Sequence, residues 1–219
     1  MNSQGEKLAA DFFDRFADTF DTLYDEKRGP AMRWVDRTCR SDMFIRFAWT
    51  FERMGPLSGK SVVDIGCGSG PYIVEALQRG AASVTGVDPA PGMIELASRR
   101  LQSARQAERV RLVTGFFPNV ELEPHDHAIV MGVFDYLADP LAFLQGVRRV
   151  TRESAQVSFP SQHWFRTPFR KVRYRLRNCP VYFFDRTRIE QLARQAGFGS
   201  VDLRKIPGAG MDYHACLKP

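Results

Sequence analysis

The chain has 219 residues, with 31 Lys and Arg against 25 Asp and Glu and a formal net charge of +6. That length suffices for one α/β domain with a sizeable core, and no apolar stretch reaches the ~20 residues that would span a bilayer. Cys39, Cys67, Cys179 and Cys216 form no Cys-x-x-Cys pair, which argues against a zinc site or a disulfide framework and fits a reducing cytoplasm.

The polar, charged start from Met1 to Asp11 is unlike a secretion signal. Leu8 to Tyr24 reads as an amphipathic helix, with Phe12, Phe13, Phe16, Phe20 and Tyr24 near helical spacing. Ala31 to Met54 carries one or two further helices, stopped by Gly55-Pro56. A first strand is expected at about Ser61 to Ile65, then a helix at Tyr72 to Arg79 and a second strand at Ser83 to Asp88. Pro91-Gly92 opens a helix from Met93 to Gln106, and Val110 to Thr114 forms the third strand. The fourth strand, His127 to Met131, precedes Gly132; a helix from Pro140 to Val150 leads to a fifth strand at Gln156 to Phe159. Arg186 to Ala196 is a helix capped by Gly197. Two extended runs, Ser200 to Ile206 and Met211 to Leu217, have no helix between them and predict a hairpin. Strands alternating with helices imply a parallel sheet.

The densest signal lies between the first two strands. Val62 to Gly70 reads Val-Val-Asp-Ile-Gly-Cys-Gly-Ser-Gly, and a second apolar run closes on Asp88, 20 residues after Gly68. Glycine lets a chain turn tightly and lets a ligand approach its backbone. A carboxylate at that distance reaches a ribose diol in a βαβ nucleotide site. A dinucleotide fingerprint, Gly-x-Gly-x-x-Gly, fails at its third glycine, where Pro71 stands. This argues against an NAD-dependent oxidoreductase. Pro71 suits a first helical turn, where its missing N–H has no partner to lose. Asp64, Gly66, Gly68 and Gly70 instead fill Asp-x-Gly-x-Gly-x-Gly.

That arrangement resembles motif I of class I S-adenosylmethionine (SAM)-dependent methyltransferases. The resemblance implies an α/β, Rossmann-like, seven-stranded, mostly parallel sheet with helices on both faces and an N-terminal helical cover. It implies one domain over residues 1–219: cover 1–57, SAM-binding core 58–160, basic lid segment 161–185, and a C-terminal helix with terminal hairpin 186–219. Ligands of open parallel sheets sit outside the carboxyl ends of the strands. The resemblance therefore sets the Gly66, Cys67, Gly68 and Gly70 stretch along the methionine part of SAM, with Asp64 orienting its ammonium group. Cys67 is a small side chain filling the tight loop. Asp88 accepts from the ribose hydroxyls, and Pro89 and Met93 pack on the adenine. Where the family usually has a Gly-Asp or Ala-Asp after the third strand, this chain has Gly115-Phe116-Phe117. Phe116 stacking on the ring, or a backbone carbonyl, takes over adenine recognition. Met131 or Gly132 borders the sulfonium, and Met131 also fits a plain core role.

The stretch after the fourth strand lacks Asn/Asp-Pro-Pro-Tyr/Phe and Pro-Cys, which excludes amino-methylating and cytosine-C5 types. Gly132-Val133-Phe134-Asp135-Tyr136 followed by Asp139-Pro140 resembles small bacterial methyltransferases, and sets Phe134 and Tyr136 on the acceptor side. The N-terminal Asp21-x-x-Tyr24 is loosely similar to magnesium-protoporphyrin methyltransferases. A non-catalytic SAM-binding module and an RNA-binding methyltransferase are the alternatives.

Charge is the second unusual feature. Trp164 to Arg188 holds seven Arg and one Lys against Asp185, a net of +7 when the whole chain nets +6. Arg166, Arg170 and Arg173 interleave with Trp164, Phe165, Phe169 and Tyr174. Three readings stay open: a lid that holds an anionic acceptor, a surface for anionic lipid headgroups or nucleic acid, and a solvated helix face with structural ion pairs. Where the acceptor must lose a proton, His163, Tyr24 and Asp135 are the candidate bases. The partner expected is a small or lipid-like, anionic acceptor, without obligate nucleic acid and with peripheral membrane contact as an option; the product cofactor is S-adenosylhomocysteine (SAH).

Overall fold

Strand alternation in this sequence builds a single mixed sheet in the order β3-β2-β1-β4-β5-β7-β6, seen in a computed structural model. The structure describes residues 10, 11, 14, 41–103, 106–137, 139–161, 182–207 and 212–219. The strands are β1 (Ser61–Ile65), β2 (Ser83–Asp88), β3 (Val110–Thr114), β4 (His125–Val130), β5 (Thr151–Phe159), β6 (Ser200–Lys205) and β7 (Tyr213–Lys218). β7 runs antiparallel to both β5 and β6, and the other neighbouring pairs are parallel. The Rossmann-like expectation and the terminal hairpin are both met.

The described helices are α1 (Ser41–Met54), α2 (Pro71–Gln78), α3 (Pro91–Ser103), α4 (Pro140–Arg149) and α5 (Arg186–Gln195). Their starts have local causes. Pro71 and Pro140 occupy first-turn positions, where no N–H is missed. Asp139 caps α4 by accepting from Ala142 N at 3.1 Å, and Asp185 caps α5 by accepting from Arg188 N at 2.7 Å. α5 ends at Gln195, and Gly197 just beyond its cap has a φ of 92°, which suits glycine at a helix terminus.

Consecutive strand residues point to opposite faces, so Val62 and Val63 enter different cores. On one face Val63, Val130 and Val157 pack under Leu144 of α4 and Leu192 of α5. On the other, Val62, Val84 and Ile129 pack under Ile73 of α2, Phe51 of α1 and Leu101 of α3. A strand covered on both sides reads as a continuous apolar run, and β1 is buried from Val62 to Ile65.

Strand boundaries differ from the sequence-based expectation most at β5 and β4, and by one or two residues at β6 and β7. β5 starts at Thr151, five residues before the apolar run at Gln156. Its Thr-Arg-Glu-Ser opening looks like a loop, yet Thr151 and Ser154 are buried, while exposed Glu153 pairs with Lys60. β4 starts at His125 and ends at Val130 rather than running from His127 to Met131. Both histidines are buried: Nε2 of His125 lies 2.9 Å from Thr85 Oγ1, and Nδ1 of His127 lies 2.9 Å from Ser154 Oγ. Burial pushes both imidazoles below their ordinary range. Among the described residues, no helix is long and apolar enough to cross a membrane.

Candidate functional site

The strand order reverses at β1, which pairs with β2 on one side and β4 on the other. Open α/β sheets take their ligands at such a switch point, beyond the strands' carboxyl ends. There a cleft of about 440 Å³ opens, lined by the loop after β1, the end of β2, the residues after β3 and the residues after β4. Small-molecule sites are about 300–1,000 Å³.

The glycine loop forms the floor. Gly66 N and Cys67 N both donate to Val87 O, at 2.7 and 3.0 Å, folding the loop back onto β2; Gly70 N closes a turn to Cys67 O at 3.0 Å. Gly66 has φ 77°, and a Cβ there would sit 2.4 Å from Cγ2 of Val133. Two separate reasons thus require glycine at this position. A Cβ at Gly68 would project into open space, so its absence leaves the backbone bare toward the cleft.

Two buried carboxyl groups stand at the strand ends, in unlike settings. Asp88 accepts from Gly68 N through Oδ2 and from Ala90 N through Oδ1, both at 2.9 Å. Burial raises its carboxyl above the usual range, and the two N–H bonds pull it back in part. The same bonds tie the glycine loop to β2. Asp64, 1% exposed, has an Oδ2 without a hydrogen-bond partner. Burial first, then the charge of Asp88, push its carboxyl up to about 8. Cys67 is buried, and its thiol is raised by burial and then by Asp64. It is therefore not an activated nucleophile.

Most of the sequence-predicted site residues converge here. Gly66, Cys67, Gly68, Asp88, Pro89, Met93, Phe116, Met131, Gly132, Asp135 and Tyr136 all line the cleft. Met131 also belongs to the core cluster beneath it. Gly132 N donates to Ser158 Oγ at 2.8 Å, fixing the bend after β4. Asp64 and Gly70 lie outside the lining, Gly70 as the residue that caps α2. Phe134, expected on the acceptor side, is instead fully buried, with Phe143, Phe159 and Phe184 around its ring at 4.3–6.0 Å. It supports the cleft from below. Its neighbours Asp135 and Tyr136 face the opening, as the chain turns through Tyr136 N donating to Val133 O at 3.1 Å. His163, Tyr24, Arg166, Arg170 and Arg173 lie outside the described residues.

Several lining residues were not foreseen. α1 contributes Met43 and Arg46, and Asp212, just before β7, closes the same wall. Ala10, in the N-terminal helical segment, lines the opening, and Asp14 accepts from Gly92 N at 2.7 Å at the start of α3. Ala10 thus reaches the cleft, and Asp14 the start of α3. The amphipathic pattern of α1 gives a helix, but which neighbour its polar edge meets depends on β7, over 150 residues later.

Comparisons with known proteins bear on the domain and the fold. Residues 62–154 match the family model described as a methyltransferase domain. A tRNA U34 carboxymethyltransferase of Idiomarina loihiensis is 32% identical over 133 residues, covering 57% of this chain and 39% of that protein. A ubiquinone biosynthesis O-methyltransferase of Vibrio cholerae is 26% identical over 165 residues, covering 74% of this chain and 61% of the relative. The chain therefore spans less than two thirds of the length of these relatives. Among solved structures, magnesium protoporphyrin IX methyltransferase from Synechocystis PCC 6803 with bound SAH superposes with a TM-score of 0.77 at 18% identity, covering 99% of this chain and 100% of that one. A second structure of that enzyme, with bound SAM, has a TM-score of 0.72. The resemblance to class I SAM-dependent methyltransferases drawn from the glycine loop is borne out in domain and in fold.

Proposed function

We propose that this chain, built around a methyltransferase domain, moves the methyl group of SAM to a small or lipid-like acceptor carrying an anionic group. The observation that carries the cofactor half is the pairing of a bare glycine loop with Asp88 at the mouth of one cleft. The residues suit the nucleoside. Asp88 retains acceptor capacity for ribose hydroxyls beyond its two backbone bonds. The unpartnered oxygen of Asp64 matches a cationic amine nearby. Phe116 and Met93 supply apolar surface for a base. SAM brings its own leaving group, so in-line displacement needs alignment above all, and such positioning is worth about 7–11 kcal/mol of barrier.

The acceptor half of the reading rests on chemistry at the other end of the cleft. Among the described lining residues there, Asp135, Tyr136, Asp212 and Arg46 are the polar groups. The cationic segment from Trp164 to Arg188 follows β5, whose carboxyl end faces the same side of the sheet. Arginine holds carboxylates and phosphates through two parallel bonds. The relatives named for ubiquinone biosynthesis and magnesium protoporphyrin IX favour a small or lipid-like acceptor over a macromolecule. Asp135, His163 and Tyr24 are the groups that would take a proton from a neutral acceptor. A methyl-transfer assay over carboxylated small molecules, scored by SAH release, tests the reading. Replacing Arg170 and Arg173 together by Ala is expected to raise the acceptor KM while leaving SAM affinity within twofold. Equal losses in both would remove the acceptor role from this segment.

The named tRNA relative and the +7 segment support a second reading, methylation of RNA. It predicts RNA binding that weakens steeply with salt; the small-acceptor reading predicts none.

A further inference from the structure

Asp64 and Asp88 are neighbours at the ends of paired strands, yet only one of them is supplied with donors. Asp88 receives two backbone N–H groups, which favour its carboxylate form. Asp64 is buried just ahead of the loop, and its Oδ2 has no hydrogen-bond partner. A buried carboxylate without a partner is costly, and the group keeps its proton instead. The groups that face it are Asp88 on β2 and the Cys67 thiol in the loop, neither of which supplies a positive charge. Across β1 its strand partners are Gly86 on β2 and Ile129 on β4, which carry no charge. The cleft's other charged residues are Arg46 from α1, Asp135 after β4 and Asp212 before β7.

We propose that Asp64 is a neutral carboxylic acid in the free protein and releases its proton when the α-ammonium group of SAM or SAH binds, so that cofactor binding is coupled to proton release. This rests on the cofactor reading above. The coupling has a definite sign. Below about pH 8 the free protein must lose a proton to bind, so affinity rises with pH and levels off above it. Product and cofactor share the ammonium group, so both feel the same coupling.

The test is calorimetry of SAH binding at pH 7 in two buffers of different ionisation enthalpy, repeated with 5′-methylthioadenosine, which has the nucleoside and thioether but no amine. SAH is expected to release about one proton per site and 5′-methylthioadenosine none. SAH affinity should improve by up to about tenfold per pH unit between pH 6 and 8. Asp64→Asn, a neutral isostere, should lose the proton release and the pH slope, bind SAH more weakly and bind 5′-methylthioadenosine as the parent does. SAH binding without proton exchange, or the same exchange in Asp64→Asn, overturns the coupling and leaves the cofactor reading standing. Failure of both ligands to bind removes that reading, and the coupling with it.

Discussion

Asp88 does two jobs whose effects are separable by substitution. Its carboxylate secures Gly68 N and Ala90 N, and its remaining lone pairs face the cleft. Asp88→Ala removes both and is expected to weaken SAH at least tenfold, about 1.4 kcal/mol. Asp88→Asn keeps one backbone bond through its amide oxygen, so it should retain more of the fold's stability while still losing a charge-assisted bond to ribose. Isothermal titration that finds SAH affinity unchanged in Asp88→Ala would take the ribose away from this residue. Gly66 shows why residue-level reading works at the loop. The need for glycine is local in its φ of 77° and visible in the motif, but its second cause, the 2.4 Å approach to Val133, joins residues 67 positions apart. Phe134 shows the limit: an aromatic beside Asp135 reads as acceptor-facing until the turn after β4 sends it into the core.

At the level of elements, one arginine and one histidine tie α1 to β6 and β7. Arg53 donates through Nη1 to His214 Nδ1 at 2.8 Å and to His214 O at 3.1 Å, and through Nη2 to Asp202 O at 2.8 Å. Arginine has no acceptor, so Nδ1 of His214 must be the acceptor and Nε2 carries the hydrogen. That hydrogen points to Thr50 Oγ1 at 3.3 Å, and Thr50 in turn donates to Arg46 O at 2.8 Å. The chain runs from β6 and β7 into α1, and α1 sets Met43 and Arg46 against the cleft. It works only while His214 is neutral. Burial, then Arg53, Arg46 and Arg204, push that imidazole down to about 3. A group whose folded value is depressed contributes stability above its unfolded value and loses it as pH falls. For His214 the loss spans the interval from its ordinary 6.5 down to about 3. His125 and His127, lowered by burial, act with the same sign. Thermal unfolding followed from pH 7 to pH 4 should therefore show a falling Tm, with a shallower slope in His214→Gln. Equal slopes in the two proteins would release His214 from this role. The strands and helices themselves were readable from periodicity, since apolar runs and Asp, Pro and Gly boundaries are local. The polar opening of β5 was not, because its burial comes from β4 and from pairing with Lys60.

For the whole molecule, topology rather than any single motif assembles the site. The order β3-β2-β1-β4-β5 brings together the segments that follow β1, β2, β3 and β4, and Asp212 before β7 joins them from the far end of the chain. The cofactor side was legible because its residues follow β1 and β2 directly. The wall formed by Met43, Arg46 and Asp212 was not, because α1 and the residue before β7 come together there through long-range contacts such as that of Arg53 with His214. The charge is equally uneven: the chain outside Trp164 to Arg188 sums to −1, against +7 within it. The net positive charge is thus confined to one stretch of the sequence, apart from the carboxylates of the cleft.

A crystal structure of the protein with SAH tests this account most directly. The ribose hydroxyls should lie within hydrogen-bond distance of Asp88 and the amino-acid tail along Gly66 to Gly70, with the sulfur turned toward Gly132. SAH found elsewhere, or a cleft closed by protein side chains in a crystal grown with saturating SAH, would contradict it.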